Sequence, residues 1–171
     1  MTDVIPSDRP RASIARVVGR LYDCAKRHEF SGHDPFDALS SRVFQSLPIR
    51  RSRLSRLLLT QGLKRSPVNL RSVLAVPTLV NPKGLALFLS GTLDLSRASG
   101  EERWRDRAEE LVEHVLATKQ TGYAGACWGY PFAWQSRAFY LPSNTPTVVA
   151  TSYAAWSLLD AYDVLRSEVC L

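Results

Sequence analysis

The sequence predicts an all-α protein, and three observations carry the prediction. Apolar residues recur at helical spacing along most of the 171 residues, helix-start signals recur in step with them, and alternating strand patterns are nearly absent. Six helical segments separated by Pro- and Gly-marked breaks make a single helical domain over residues 1–171, read as about three helical hairpins.

The first segment, 9–28, sets Ile14, Val17, Val18, Leu21, Cys24 and Ala25 on one face and Arg16, Arg20, Asp23 and Arg27 on the other, with Pro10 suited to its first turn. Phe30-Ser31-Gly32-His33 makes a short turn. Asp34-Pro35-Phe36-Asp37 then supplies a cap, a proline at the first helical position and a second carboxylate at the positive end of the helix dipole. This second helix is expected to end near Ser46, ahead of Pro48.

A third helix over 51–64 carries Leu54, Leu57, Leu58 and Gln61 on one side and arginines on the other, stopping at Ser66-Pro67. A short helical piece is expected at 69–75, before Pro77. Asn81-Pro82 opens a helix whose Leu85, Leu87, Phe88, Leu89 and Leu93 leave it apolar nearly all round, the pattern of an inner helix. Glu101-Glu102 begins the next, to about Lys119, with Trp104, Ala108, Leu111, Val112, Val115 and Leu116 as its buried stripe. Residues 120–145 form a long loop rich in Gly, Pro and aromatics, and long structured loops tend to carry function. Thr145 is the expected cap of a last helix, through Val148, Val149, Tyr153, Trp156, Leu159 and Ala161 to about Arg166. The alternation of amphipathic and nearly all-apolar helices suits two concentric layers, and it equally suits an irregular bundle.

Bulk properties exclude several classes. A hydrophobic fraction of 45% with 22% charged residues is that of a globular chain, not a disordered one. No apolar run reaches the length of a transmembrane helix, and the opening MTDVIPSDRPRAS has no apolar stretch of the secretory kind. Three widely spaced cysteines, Cys24, Cys127 and Cys170, argue against a disulfide framework or a zinc site and point to a reducing, cytoplasmic setting. The net charge of +6 is uneven: residues 1–86 hold 15 Lys and Arg against 6 Asp and Glu, and residues 87–171 hold 7 against 10. Without interleaved aromatics or a recognition-helix motif, the basic half reads as a solvated arginine-rich surface, and no nucleic-acid partner is expected. No phosphate-binding or dinucleotide glycine motif is present, and neither a cofactor nor a metal is expected.

The segment richest in chemistry is Cys127 to Tyr140, with six aromatics in 13 residues. Flat aromatic faces suit the C–H face of a sugar or a lipid chain, and directed polar groups among them complete the recipe for a pocket. The candidate ligand-binding residues are Trp128, Tyr130, Phe132, Trp134, Gln135 and Arg137, with Gln135 and Arg137 placed to meet hydroxyls or a carboxylate. The competing assignment is that Trp128, Phe132 and Trp134 plug the end of the core. Asp34 and Asp37 lie one helical turn apart and are candidate catalytic acids. His33 beside them is a candidate for proton transfer.

Three segments, GHDPFDAL (32–39), QGLKRSPVNLR with NPKGLALFLSG (61–71 and 81–91), and CWGYPFAWQSRAFYLPSNTPTVVATSYAAWSLLDAYD (127–163), resemble the N-terminal half of a bacterial group in the six-hairpin glycosidase-like, α/α-toroid superfamily. The resemblance implies a partial barrel of helical hairpins, a role in polysaccharide assembly or trimming, and self-association or a partner chain that completes the toroid. In such relatives the loop reads WGYPFDWQ. Here Ala133 stands in place of the acid, so any step that needs that carboxylate is lost to this chain. Two alternatives to a carbohydrate-handling protein stay open: a non-catalytic scaffold, and a toroid for an isoprenoid or other lipid, the latter disfavoured by the absence of clustered cyclase carboxylates.

Overall fold

The computed structural model describes residues 8–170 and is mostly helical; residues 1–7, the start of the opening segment that has no apolar stretch of the secretory kind, lie outside the described residues. Six α-helices account for most of it: α1 (Asp8–Arg27), α2 (Arg42–Ser46), α3 (Arg53–Arg65), α4 (Pro82–Ser99), α5 (Glu102–Ala117) and α6 (Val148–Leu165). Two short antiparallel ladders join them. Strand β1 (Ser31–Gly32) pairs with β2 (Leu79–Val80), and β3 (Trp134–Gln135) pairs with β4 (Tyr140–Leu141).

Helix α4 is central and packs against both α5 and α6. Its start is fixed by Asn81, whose side chain accepts the Lys83 N–H at 3.0 Å, and by Pro82 in the first turn. Its end is fixed by Gly100 in the left-handed region, φ 66°. Leu85, Leu89 and Leu93 on α4 meet Ala108, Leu111 and Val115 on α5 and Ala150, Ala154 and Ala161 on α6. The alanine stripe lets α6 approach closely, and each buried leucine contributes roughly 1.5–3 kcal/mol. Tyr22 from α1 and Trp128 complete this core. A second, smaller core of Ala38, Leu63 and Val76 lies under α3.

Several sequence expectations change. The helix predicted over 34–46 is instead a turn, a 3-10 segment at Asp37–Ser40, and the short α2. Ser41 breaks it: the backbone is extended there (φ −55°, ψ 121°), Ser41 Oγ donates to the Leu74 carbonyl, and Arg42 N–H donates to the Ala75 carbonyl. Residues 71–75 form turns rather than a helix, with Ala75 at φ 47°. The buried side of α1 is rotated from the expected stripe. Tyr22 is its anchor, Gly19 faces the Trp104 ring, and Ile14, Val17 and Leu21 are exposed. On α3, Leu54 and Leu58 face outward while Arg56 turns inward to Gln135 and the Tyr140 ring. The cap of α6 is Thr147, whose hydroxyl accepts the Ala150 N–H at 3.2 Å, and not Thr145.

The apolar circumference of α6 is not covered on both sides: Trp156 is 76% exposed, and Val149, Tyr153 and Leu159 lie open beside it. None of the described helices is long and apolar enough to cross a membrane.

Candidate functional site

The β1–β2 ladder decides what meets at the site. It ties the turn ahead of His33 to the strand that enters α4, so Asp34 comes to Asn81, 47 residues away. Asn81 Nδ2 donates to Asp34 Oδ2 at 3.3 Å, and the other carboxylate oxygen accepts the Phe36 N–H at 2.9 Å. Asp34 therefore closes a local turn of its own, and it does not cap a long helix.

Asp37 is fully buried and well supplied with donors. Arg71 Nε lies 3.1 Å from each of its oxygens, and the Asp34 N–H and His33 Nδ1 each lie 3.1 Å from Oδ2. Arg71 also donates through Nη2 to the Asp34 carbonyl at 3.0 Å. A buried carboxylate is tolerable only with such partners. Asp37 is thus a structural anchor that fixes the His33 ring through Nδ1 and the 34–37 turn through Arg71. It is not a free second acid.

The aromatic loop closes the other side. Two adjoining chambers of about 310 and 400 Å³ share Asp34, Asn81 and Phe132 in their walls. The inner one also carries His33, Asp37 and Phe88; the outer one carries Phe36, Lys83, Tyr130 and Trp134. Tyr130 and Phe132 stack at 5.5 Å between centroids, and Trp134 leans on Phe36 at 6.0 Å. Burial pushes the Tyr130 phenol up from its ordinary value, and the negative charge of Asp34 adds to the shift. The indole N–H of Trp134 is buried with no partner among the described residues.

The structure brings together Asp34, His33, Asp37, Tyr130, Phe132 and Trp134, drawn from segments about a hundred residues apart. It leaves three candidates out. Trp128 is 1% exposed and donates its indole N–H to the Val115 carbonyl at 2.9 Å, so it belongs to the core and offers no face to a ligand. Gln135 is buried on the α3 side, accepting from Arg56 Nε at 2.9 Å and donating to the carbonyls of Ser136 and Phe139. Arg137 is exposed on the β3–β4 turn, where its carbonyl accepts from Arg53, and it does not line the cleft. The sequence singled out neither Phe36, Asn81 and Lys83 as cleft residues nor Arg71 as a partner of Asp37. Asn81 and Phe36 were visible only as helix-start residues, and nothing local marked Lys83 or Arg71.

Gly129 explains why the loop can run here at all. It bridges to Pro146 so closely that a Cβ at Gly129 would collide with the backbone of Asn144 and Thr145. The Trp128 carbonyl accepts the Thr147 N–H at 3.0 Å, which locks the loop to the start of α6.

No group of three or more His, Cys, Asp or Glu among the described residues is arranged to hold a metal ion. No family model, curated protein or solved structure matches this chain.

Proposed function

We propose that the chain is a saccharide-binding part of an α/α-toroid acting in polysaccharide assembly or trimming, in the cytoplasm, and that it binds without hydrolysing. The observation that carries this reading is the convergence of Asp34 and Asn81 with the stacked Tyr130–Phe132 pair and Trp134 in one cleft. Aromatic faces suit sugar C–H faces, and the polar floor suits ring hydroxyls. That floor disfavours an isoprenoid occupant.

Hydrolysis of a glycosidic bond generally takes two available carboxyl groups, about 5–9.5 Å apart. The carboxylates lining the cleft are Asp34 and Asp37, and Asp37 is committed to Arg71 and His33. Ala133 supplies no third. The site therefore suits recognition better than bond cleavage.

A glycan-array screen tests the proposal. Binding of at least one oligosaccharide, weakened about tenfold by Tyr130→Ala with the fold intact, is the expected result, equivalent to roughly 1.4 kcal/mol. A flat array, or binding indifferent to Tyr130→Ala, would remove the proposal.

A second reading, an interaction protein, is favoured by one specific feature: the outward face of α6 presents Val149, Tyr153, Trp156 and Leu159 to solvent. Light scattering distinguishes it, since an assembled form that Trp156→Asp dissociates supports an interface on this face.

A further inference from the structure

Lys83 carries a charge that no ion pair or hydrogen bond among the described residues meets, its one contact there being a cation–π approach to Tyr153. It stands in the first turn of the 18-residue α4, where the positive end of the helix dipole disfavours a cation. It is half-buried, and no carboxylate or other acceptor among the described residues lies within bonding distance of its ammonium, which rests over the Tyr153 ring at 4.6 Å. Other basic groups of the protein have acceptors: Arg71 bonds to Asp37 and the Asp34 carbonyl, Lys26 pairs with Glu110, and Arg56 bonds to Gln135 and the carbonyls of Arg50 and Arg51. Among the described residues Lys83 is the one Lys or Arg in the walls of either chamber; Lys64 rests over the Phe36 ring at 4.2 Å without itself lining them.

An unpaired ammonium beside stacked aromatics, with the start of a helix behind it, concentrates positive potential at the outer chamber. Asp34, in the same wall, contributes a single negative charge. One further negative charge would leave Lys83, Asp34 and the ligand at a net −1. A doubly charged phosphate would bring that to −2 next to Asp34, so of the two anions a carboxylate is the better match; the case for an anion over a neutral ligand is that the Lys83 ammonium has no acceptor among the described residues. The Tyr153 ring holds the ammonium itself in a cation–π contact, and the N–H groups not turned toward the ring are open to such an acceptor.

We infer that the cleft is built for an acidic saccharide, and that Lys83 receives the carboxylate of a uronate ring stacked on Tyr130, with the buried Phe132 backing the Tyr130 ring. This rests on the saccharide reading above and adds the substrate class and the residue that selects it. It also moves the carboxylate-binding role from Gln135 and Arg137, which lie outside the cleft, to Lys83.

The test titrates wild type, Lys83→Gln and Lys83→Arg with oligogalacturonate and with glucuronate–N-acetylglucosamine oligomers, each beside its carboxyl-reduced neutral counterpart. Wild type is expected to prefer at least one acidic form by about 10- to 100-fold, the range of one charge-assisted bond, and the preference should shrink as salt is raised. Lys83→Gln should bind that acidic form and its neutral counterpart alike, Lys83→Arg should keep the preference, and both variants should melt as wild type does. Neutral forms bound as tightly as acidic ones, or a preference that survives in Lys83→Gln, would overturn the inference and leave the saccharide reading standing. Absence of binding to acidic and neutral forms alike would overturn both.

Discussion

Arg71 and Asp37, 34 residues apart, form a buried ion pair in which one guanidinium nitrogen is equidistant, at 3.1 Å, from both carboxylate oxygens. The same arginine reaches the Asp34 carbonyl, so a single side chain fixes both acids of the cleft wall, the one with free carboxylate edge and the one committed to ion pairing. Removing one partner strands the other. Arg71→Ala should cost about 3–5 kcal/mol in chemical denaturation, whereas Arg71→Met with Asp37→Leu should recover much of it. A double variant as unstable as the single one would show that the pair itself, not the stranded charge, matters.

Gly129→Ala places a Cβ against the backbone of Asn144 and Thr145, which cannot yield as a side-chain tip can. The expected loss is about 1–3 kcal/mol, read as a lowered melting temperature, with a loosened aromatic loop. An unchanged melt would mean that the Gly129–Pro146 bridge is dispensable.

Trp128→Ala empties a site in the core and removes a hydrogen bond to Val115, so it should cost about 3–5 kcal/mol. Tyr130→Ala, two residues on and half-buried, should cost much less and act on ligand binding instead. Equal stability losses in the two variants would contradict the separation of core from cleft.

The α1–α5 contact gives a pH prediction. Tyr22 Oη donates to Glu110 at 2.8 Å and Lys26 donates to it at 2.7 Å. Partial burial works to raise the Glu110 pKa, but these hydrogen bonds outweigh it and hold the value below the ordinary 4.5. With the folded value depressed, the unfolded chain binds the proton more readily, so stability is present above pH 4.5 and falls as acid is added below it. Glu110→Gln should flatten that part of the stability profile in denaturant melts recorded between pH 3 and 6. An identical acid slope in both proteins would assign the loss to other carboxylates.

Local signals made three helices legible. Asn81-Pro82 open α4, and the stripe of Trp104, Ala108, Leu111, Val112 and Val115 is the buried face of α5. The body of α6 was equally plain. What the sequence did not reveal was decided between distant residues. Ser41 bonds to Leu74 rather than continuing a helix, and Arg56 turns inward because Gln135 and Tyr140 await it. The rotation of α1 follows from Tyr22 finding Glu110 and Arg107, which neither periodicity nor composition contains.

Half of the candidate site was visible in the same way. Asp34, His33, Tyr130, Phe132 and Trp134 stood out by residue type in a loop or turn. Trp128 and Gln135 stood out equally, yet burial gave them structural work, because an aromatic-rich stretch must supply both the plug of a core and the wall of a cleft. Asn81 and Lys83 were hidden inside a helix-start signal that was already explained.

The central claim is that one ligand touches both the 34–37 turn with the α4 entry and the aromatic loop. Two-dimensional amide NMR measures it most directly: the oligosaccharide selected on the array is titrated while the Trp134 indole N–H and the backbone amides of Lys83, Phe36 and Phe132 are followed. The account predicts that these signals shift together, with one saturation curve, while the Trp128 indole stays in place. Shifts confined to the exposed face of α6, or a Trp134 indole that never moves, would contradict it.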